Sequence, residues 1–218
     1  MKTNDYTIRL ETEKDHREVE NLAREAFWNL SVPGCHEHYF VHVLRQHADF
    51  IPELDFVLES EGRILGFVMY AKGRLVDEQG NEKPILTMGP ICVHPACQRR
   101  GFGKALLEHS FAAARAMGHD VVINFGNPDN YVARGYKSCK KYNVCFMGDV
   151  FPAALLVKEL KEGALDGRKW FYHPSDAEAL CDDAQAVAAF DSQFPPKEKA
   201  WQPSQEEFYI HSHSVISW

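Results

Sequence analysis

The sequence lacks the long apolar runs that a cleaved leader or a membrane span would need. Its first residues, 1–5, lead into a polar segment, and no apolar run of that kind follows. Positive charge is also scarce: 24 Lys and Arg stand against 31 Asp and Glu, giving a net charge of −7. An acidic chain repels phosphate backbones at long range. These absences argue against nucleic-acid and membrane partners and predict a cytoplasmic protein.

Metal and redox motifs are missing as well. The six cysteines include no Cys-x-x-Cys pair, so neither a zinc ribbon nor a thioredoxin-type site is indicated. In a reducing compartment we expect six free thiols that pack as small apolar residues. His38 and His42 lie four residues apart on a predicted helix, but no His-Glu-x-x-His motif is present, and His211 and His213 have no third ligand. We therefore expect no metal.

What is present is enough sequence, 218 residues, for one sizeable core. Apolar runs and alternation predict strands at 6–10, 55–60, 63–72, 84–93, 121–125, 141–147 and 153–160. Helical spacing predicts helices at 19–27, 39–47, 103–117 and 176–190, and a short helix capped by Asn127. The tail beyond 194–196 shows no strong period. The pattern favours one α/β domain on a mixed sheet with a C-terminal appendix.

Residues 89–107 carry the chemistry. A strand there runs into a glycine-containing loop, and the loop runs directly into a helix. The first turn of a helix has unpaired N–H groups and a partial positive charge, which suits phosphate. Gly101 and Gly103 let the backbone approach a ligand closely. Cationic side chains flank the same turn at Arg99, Arg100 and Lys104.

Two common phosphate loops do not fit this segment. A P-loop needs Gly where Gln98 stands and Ser or Thr where Ala105 stands. A dinucleotide-binding fingerprint needs a third Gly where Leu106 stands. The stretch 98–103, Gln-Arg-Arg-Gly-Phe-Gly, instead resembles the Q/R-x-x-G-x-G/A loop of the GNAT superfamily of N-acetyltransferases. The flanking residues 93–95 and 105–107 match that family too. The alternative is a plain glycine turn with solvated arginines.

A second match lies at 126–136. The family often has a short helix here, with a Tyr four residues before a Gly-aromatic pair, and Tyr131, Gly135 and Tyr136 fit that spacing. The resemblance implies that Tyr131 is the general acid that protonates the departing thiolate. The alternative is a core tyrosine whose hydroxyl is satisfied by the protein.

The resemblance covers about residues 6–160 and implies the GNAT fold. This is a mostly antiparallel central sheet with a splayed parallel pair, strands 84–93 and 121–125, and helices on both faces. Residues 1–160 would form the acetyltransferase core, and 161–218 an extension packed on it. Acetyl-CoA is the implied co-substrate, with the pantetheine paired to the main chain of 91–93 and the pyrophosphate held by 98–104. The implied cofactor-binding set is Ile91, Cys92, Val93, Gln98, Arg99, Arg100, Gly101, Phe102, Gly103, Lys104 and Asn127.

The amine acceptor would attack the thioester directly, without an acyl-enzyme. Strand 84–93 contains no Asp or Glu, so the general base is left open between His94, a distant carboxylate acting through water, and water alone. We expect His94 to be only partly buried, and Cys92 and Cys97 to be packing residues. The acidic pairs 182–183 and 206–207 are either solvated charges or guides for a cationic substrate.

Three alternatives stay open at this point. The acceptor is either a small-molecule amine or an amine of a protein or peptide. A non-catalytic protein of the same fold that binds or senses acyl-CoA is the alternative to an enzyme. A homodimer is compatible with the sequence, which does not decide the oligomeric state.

Overall fold

One mixed sheet runs through the molecule. The computed structural model describes residues 6–146 and 148–217, and nine strands within them join in this sheet. The predictions for residues 1–5 and for Met147, the last residue of the expected strand 141–147, lie outside the described residues. In chain order the strands are β1 Thr7–Leu10, β2 Phe56–Ser60, β3 Arg63–Asp77, β4 Glu82–Val93, β5 Val121–Phe125, β6 Lys137–Ser138, β7 Val144–Cys145, β8 Leu155–Glu159 and β9 Trp170–His173.

The strand order is β1-β2-β3-β4-β5-β8-β6, and neighbours along it are antiparallel except for the parallel pair β4 and β5. Strand β9 pairs antiparallel with the end of β3, and β7 pairs parallel with β9. This mostly antiparallel sheet with a central parallel pair confirms the predicted fold class.

Helices cover both faces of the sheet, as predicted. They are α1 His16–Phe27, α2 Glu37–Leu44, α3 Phe102–Ala116, α4 Pro128–Tyr131, α5 Ala184–Asp191 and α6 Pro203–His213. Side chains of β3 alternate between two cores, because successive residues of a strand point to opposite faces. Val68 and Tyr70 pack with α3, whereas Phe67 and Met69 pack with α1 and α2.

The structure departs from the sequence prediction in the second half of the chain. Residues 139–142 form a helical turn, and the expected strand 141–147 shrinks to β7. The Ser138 side chain caps that turn and Asn143 ends it in the left-handed region, with φ 55°. The expected helix 176–190 is a 3₁₀ segment, Asp176–Asp182, followed by α5. The split falls at Asp183, whose carboxylate accepts from the N–H groups of Gln185 and Ala186.

The C-terminal residues attach to the sheet and to the first helices. Strand β9 supplies Trp170 and Tyr172 to a core with Leu75 and Ile85. Helix α5 is fixed to α1 by Arg24, whose Nε donates to Asp191 Oδ1 at 2.6 Å. The Nε2 of Gln205, on α6, donates to the carbonyl of Asn29 at 3.0 Å.

Two further expectations concern the whole chain. All six cysteines are free thiols, as expected. Within 6–146 and 148–217, no helix has the length and apolar character needed to cross a membrane.

Candidate active site

The parallel strands β4 and β5 separate in the middle of the sheet. They are in register only at Leu86 with Val122 and at Thr87 with Ile123. Beyond Thr87, β4 has no partner on its β5 side among the described residues. A bulge in β4 accompanies the separation, because Met88 and Ile91 face Tyr70 and Val68 of β3. The bulge contains a cis Gly89–Pro90 bond, and Gly89 has a φ of 146°, a backbone conformation that favours glycine.

The loop between β4 and α3 is exposed and rich in unpaired N–H groups. Arg99 and Gly101 both have positive φ, 63° and 89°. Helix α3 begins at Phe102, and its first bond out of the loop runs from Ala105 N to Gly101 O at 3.0 Å. In the part of the chain that the structure describes, the N–H groups of 99–104 have no acceptor. Six consecutive donors at a helix start suit a pyrophosphate.

A cationic cavity of about 530 Å³ lies beside α3. Its wall includes the side chains of Lys104, Arg115, Arg134 and Lys158. Burial together with the nearby Arg115 lowers the pKa of Lys158. Lys104 connects this cavity to the start of α3, and its four cations favour phosphate groups.

A larger cavity of about 1080 Å³ opens where β4 and β5 separate. Its base is formed by β4 residues Thr87 and Ile91 and by Asn124 of β5. The Asn124 side chain is buried, at 2% exposure, and its Oδ1 has no partner in the described residues. Thr87 Oγ1 and Tyr172 Oη are 2.8 Å apart, so β9 supplies part of the same wall.

Tyr131 lies in this cavity at the end of α4. Asn127 caps α4 by accepting from Asp129 N, as predicted from the sequence, and also borders the cavity. The Tyr131 ring packs 5.6 Å from Tyr136 and touches the open side of Gly126, where an added Cβ would lie 2.9 Å from it. Burial raises the pKa of Tyr131 to about 12, so its hydroxyl carries a proton at neutral pH. That hydroxyl makes no hydrogen bond to the described residues.

Five carboxyl groups border the cavity, at Glu37, Asp176, Glu178, Asp182 and Glu207. Burial raises the pKa of Glu37. The side chain of Glu178 remains accessible from the cavity, but the surrounding protein raises its pKa to about 7. A carboxylate with such a pKa can accept a proton near neutral pH.

The structure brings only some of the predicted site residues into this cavity. Ile91, Asn127 and Tyr131 line it. The Cys92 side chain is buried on the α1 side, with Sγ 3.9 Å from Leu22 O, and burial raises its pKa well above the usual range. Cys92 is thus a packing residue, and only its main chain is available to a ligand.

His94 is half-buried, as expected, but it is not in the cavity. Its Nδ1 accepts from Ala96 N at 3.3 Å and so caps the turn before the loop. The carboxylates of α2 and of residues 161–218 line the cavity, whereas His94 does not.

The four histidines on and near α2 do not converge. His36 lines the cavity, and His38 is buried with Nε2 3.1 Å from Asp191. His42 contacts Glu20, and His47 lies 3.6 Å from Asp49. Among the residues described, no three His, Cys, Asp or Glu side chains come together as a metal site would require.

Sequence reasoning missed Asn124, Glu37 and Glu178. None of them lies in a motif, and each reaches the cavity only through the packing of elements distant in the chain. The structure separates the members of the acidic pair 182–183: Asp182 lines the cavity, while Asp183 caps α5.

Comparison with known proteins decides the family. The family model described as the acetyltransferase (GNAT) family matches residues 16–137. The chain belongs to this GNAT family. It is therefore an acyltransferase, and both its loop at 98–104 and its Tyr131 lie within the matched region.

Relatives agree with this GNAT assignment. The uncharacterised N-acetyltransferase YhbS of Escherichia coli K12 is 24% identical over 160 residues, which covers 73% of this chain and 90% of YhbS. The crystal structure of E. coli YhbS in complex with CoA has a TM-score of 0.70 at 20% identity, covering 80% of this chain and 92% of that one. A GNAT acetyltransferase from Brucella melitensis in complex with acetyl-CoA has a TM-score of 0.62 at 22% identity, covering 79% and 97%.

Proposed function

We propose that this GNAT protein transfers the acetyl group of acetyl-CoA to a primary amine. The observation that carries the proposal is the separation of β4 and β5 beyond Thr87, which opens into a cavity lined by residues 87–91 of β4 and by Tyr131. The loop with six free N–H groups follows the same half of β4. The Brucella GNAT structure, described with acetyl-CoA, supports the choice of acetyl donor.

Acetyl-CoA supplies a thioester that an amine can cleave. The N–H groups of 99–104 and the cations Arg99, Arg100 and Lys104 bind the pyrophosphate. On its β5 side, where no described strand pairs with it, the main chain of β4 at 91–93 pairs with the pantetheine amides in the manner of an added strand. The cationic cavity beside α3 accommodates further phosphate of the nucleotide.

The transfer then needs two proton movements. As the amine nitrogen bonds to the acetyl carbon, the carbon–sulfur bond breaks and the thiolate takes the proton of Tyr131 Oη. The proton lost by the amine goes to a carboxylate of the cavity, directly or through water. Glu178 has the pKa suited to that task. Residues 161–218, the proposed extension on a 1–160 core, thus contribute to the acceptor side.

The test joins binding to turnover. Acetyl-CoA is titrated into the protein by calorimetry, and free thiol is then followed with polyamines, amino acids, aminoglycosides and peptides. We expect binding and amine-dependent thiol release. Tight binding without release on any amine would favour the non-catalytic reading, and absence of binding would overturn the proposal.

A further inference from the structure

The five carboxyl groups of the large cavity are free of ion pairs. Neither Glu37 nor any of the four carboxylates from 176–207 contacts a Lys or Arg of the described chain within 4.0 Å. The one Lys or Arg on the cavity wall is Arg74, whose Nε lies 3.5 Å from Glu82, outside the cavity wall. The other titratable groups that line this space in the described chain are His36, His173, Tyr131, Tyr172 and Cys181. Burial favours the protonated form of Glu37 and Glu178, but the acidic groups still outnumber the single Arg on the described wall, so the cavity has an excess of carboxyl groups without a cationic partner.

A second, independent feature points to a ligand with N–H donors. Asn124 is 2% exposed, lines the base of the cavity, and its Oδ1 accepts from no described residue. An unpaired buried acceptor is costly, and a donor from a bound molecule would remove that cost. Asn124 lies on β5, in the same cavity as Tyr131.

Aromatic side chains line the same cavity as the carboxyl groups. Phe27, Phe40, Phe146, Tyr172 and Phe208 all border the cavity. Methylene segments pack against such rings, and ammonium groups are attracted to their faces. A cavity lined by both carboxylates and apolar rings matches a chain of methylenes with cationic nitrogens at intervals. A single-charge amine would leave most of the carboxylates unpaired, and it must lose its own charge to react.

We propose that the acceptor is a free linear aliphatic polyamine, a molecule with a terminal primary amine and at least one further cationic nitrogen. The reacting amine lies between Asn124 and Tyr131, and the distal cation is bound by Asp182 and Glu207 of the C-terminal extension. This inference rests on the proposed function and names its substrate class.

The chain offers a matched control for these two carboxylates. Asp182 and Glu207 line the cavity, whereas Asp183 and Glu206 immediately beside them do not. The variant Asp182→Asn/Glu207→Gln removes two cavity charges, and Asp183→Asn/Glu206→Gln removes two charges from adjacent positions. Asn at 183 retains a good helix cap, so both variants should fold. Melting temperatures of the two verify this.

The experiment measures kcat and KM for a monoamine, a diamine and a triamine of the same methylene spacing. We expect kcat/KM to rise from monoamine to triamine. For the triamine, we expect Asp182→Asn/Glu207→Gln to raise KM by about fivefold or more, since two ion pairs are lost. Its kcat and its KM for acetyl-CoA should stay unchanged, as should every value for the control variant.

Other outcomes separate the two proposals. If monoamines react as well as triamines, or if the two double variants behave alike, the polyamine inference is wrong while acetyl transfer stands. If only peptide lysines are acetylated, the acceptor is a protein and the inference is again overturned. If no amine releases thiol although acetyl-CoA binds, the proposed function itself fails.

Discussion

Tyr131 combines a retained proton with a free hydroxyl at the base of the cavity. We expect Tyr131→Phe to lower kcat by roughly 10²-fold, in the range lost with a general acid. Affinity for acetyl-CoA should stay within about twofold, because the phenyl ring keeps its packing against Tyr136. Stopped-flow thiol release and calorimetry measure the two quantities separately. A variant with unchanged kcat would show that the thiolate leaves without this proton.

Glu178 should set the acidic limb of the rate profile. The surrounding protein raises its pKa to about 7, so the carboxyl is mostly protonated and inactive as a base below that pH. The value of kcat/KM should rise as pH increases through about 7. In Glu178→Gln we expect a lower rate and loss of that limb. Glu37→Gln is the comparison, because the pKa of Glu37 is also raised by burial. Should Glu37→Gln alone remove the limb, the base lies on α2.

Asp55 is a buried carboxyl on the face opposite α3. Burial and the neighbouring Glu11 raise its pKa well above its usual value of about 4. The folded state therefore holds a proton that the unfolded state releases, and stability falls as pH rises above about 4. Asn resembles the protonated acid, so Asp55→Asn should weaken this fall by about 1 kcal/mol or more between pH 5 and 8.

Urea midpoints at the two pH values measure the effect of Asp55→Asn. Asp15→Asn is the control of opposite sign, since Arg9 holds the pKa of Asp15 well below its usual range. The variant Asp15→Asn should have a lower free energy of unfolding than the wild type throughout pH 5 to 8. If the stabilities of the two variants changed in the same way between the two pH values, the raised pKa of Asp55 would be contradicted.

At the scale of elements, the strand-loop-helix unit from β4 to α3 places the phosphate donors. Gly101 ends the loop with φ 89° and has open space around it, so only its backbone conformation opposes a side chain. Gly101→Ala should cost about 1 kcal/mol of stability and raise KM for acetyl-CoA severalfold. Gly103 has an ordinary φ, and an added Cβ would meet Val93 at 3.7 Å. Gly103→Ala should therefore retain full stability in the same denaturation experiment.

This unit could be predicted from the sequence because its determinants are local. Apolar residues of β4, the glycines of the loop and the period of α3 are contiguous. The expected helix ran from 103 to 117, and the observed one is Phe102–Ala116. By contrast, β9 escaped prediction because four residues carry too little pattern, and their partner in β3 lies about a hundred residues earlier. Helix α6 buries only Gln205 and so shows no apolar stripe.

At the scale of the whole molecule, the extension is part of the fold. Removing residues 161–218 would uncover Leu75 and the edge of β3, and would delete Trp170 and Tyr172 from their core. We expect this truncation to aggregate or to melt at a much lower temperature, because exposed core and an open strand edge promote association. Deleting only 203–218 leaves β9 in place and should yield a folded protein. Solubility and thermal melts of both forms check this, and a stable 1–160 fragment would contradict it.

The packing of distant elements also decides which part of the site could be predicted from sequence motifs. The donor side was visible in the sequence, since the 98–103 loop and Tyr131 belong to contiguous patterns. The acceptor side was not, because Glu37, Asn124 and Glu178 meet only after α2, β5 and the extension have packed.

The pairing of β9 with β3 has a consequence for insertions and deletions. Trp170 and Tyr172 are buried while His173 is exposed, so alternation decides which side chain meets Thr87. If one residue were lost from 161–169 and β9 slipped by one, every side chain of β9 would exchange faces, and Phe171 or His173 would replace Tyr172. A length change in 161–169 that shifts the register of β9 by one residue should therefore replace the side chain that meets Thr87. A shift of two residues should leave the same face toward the cavity.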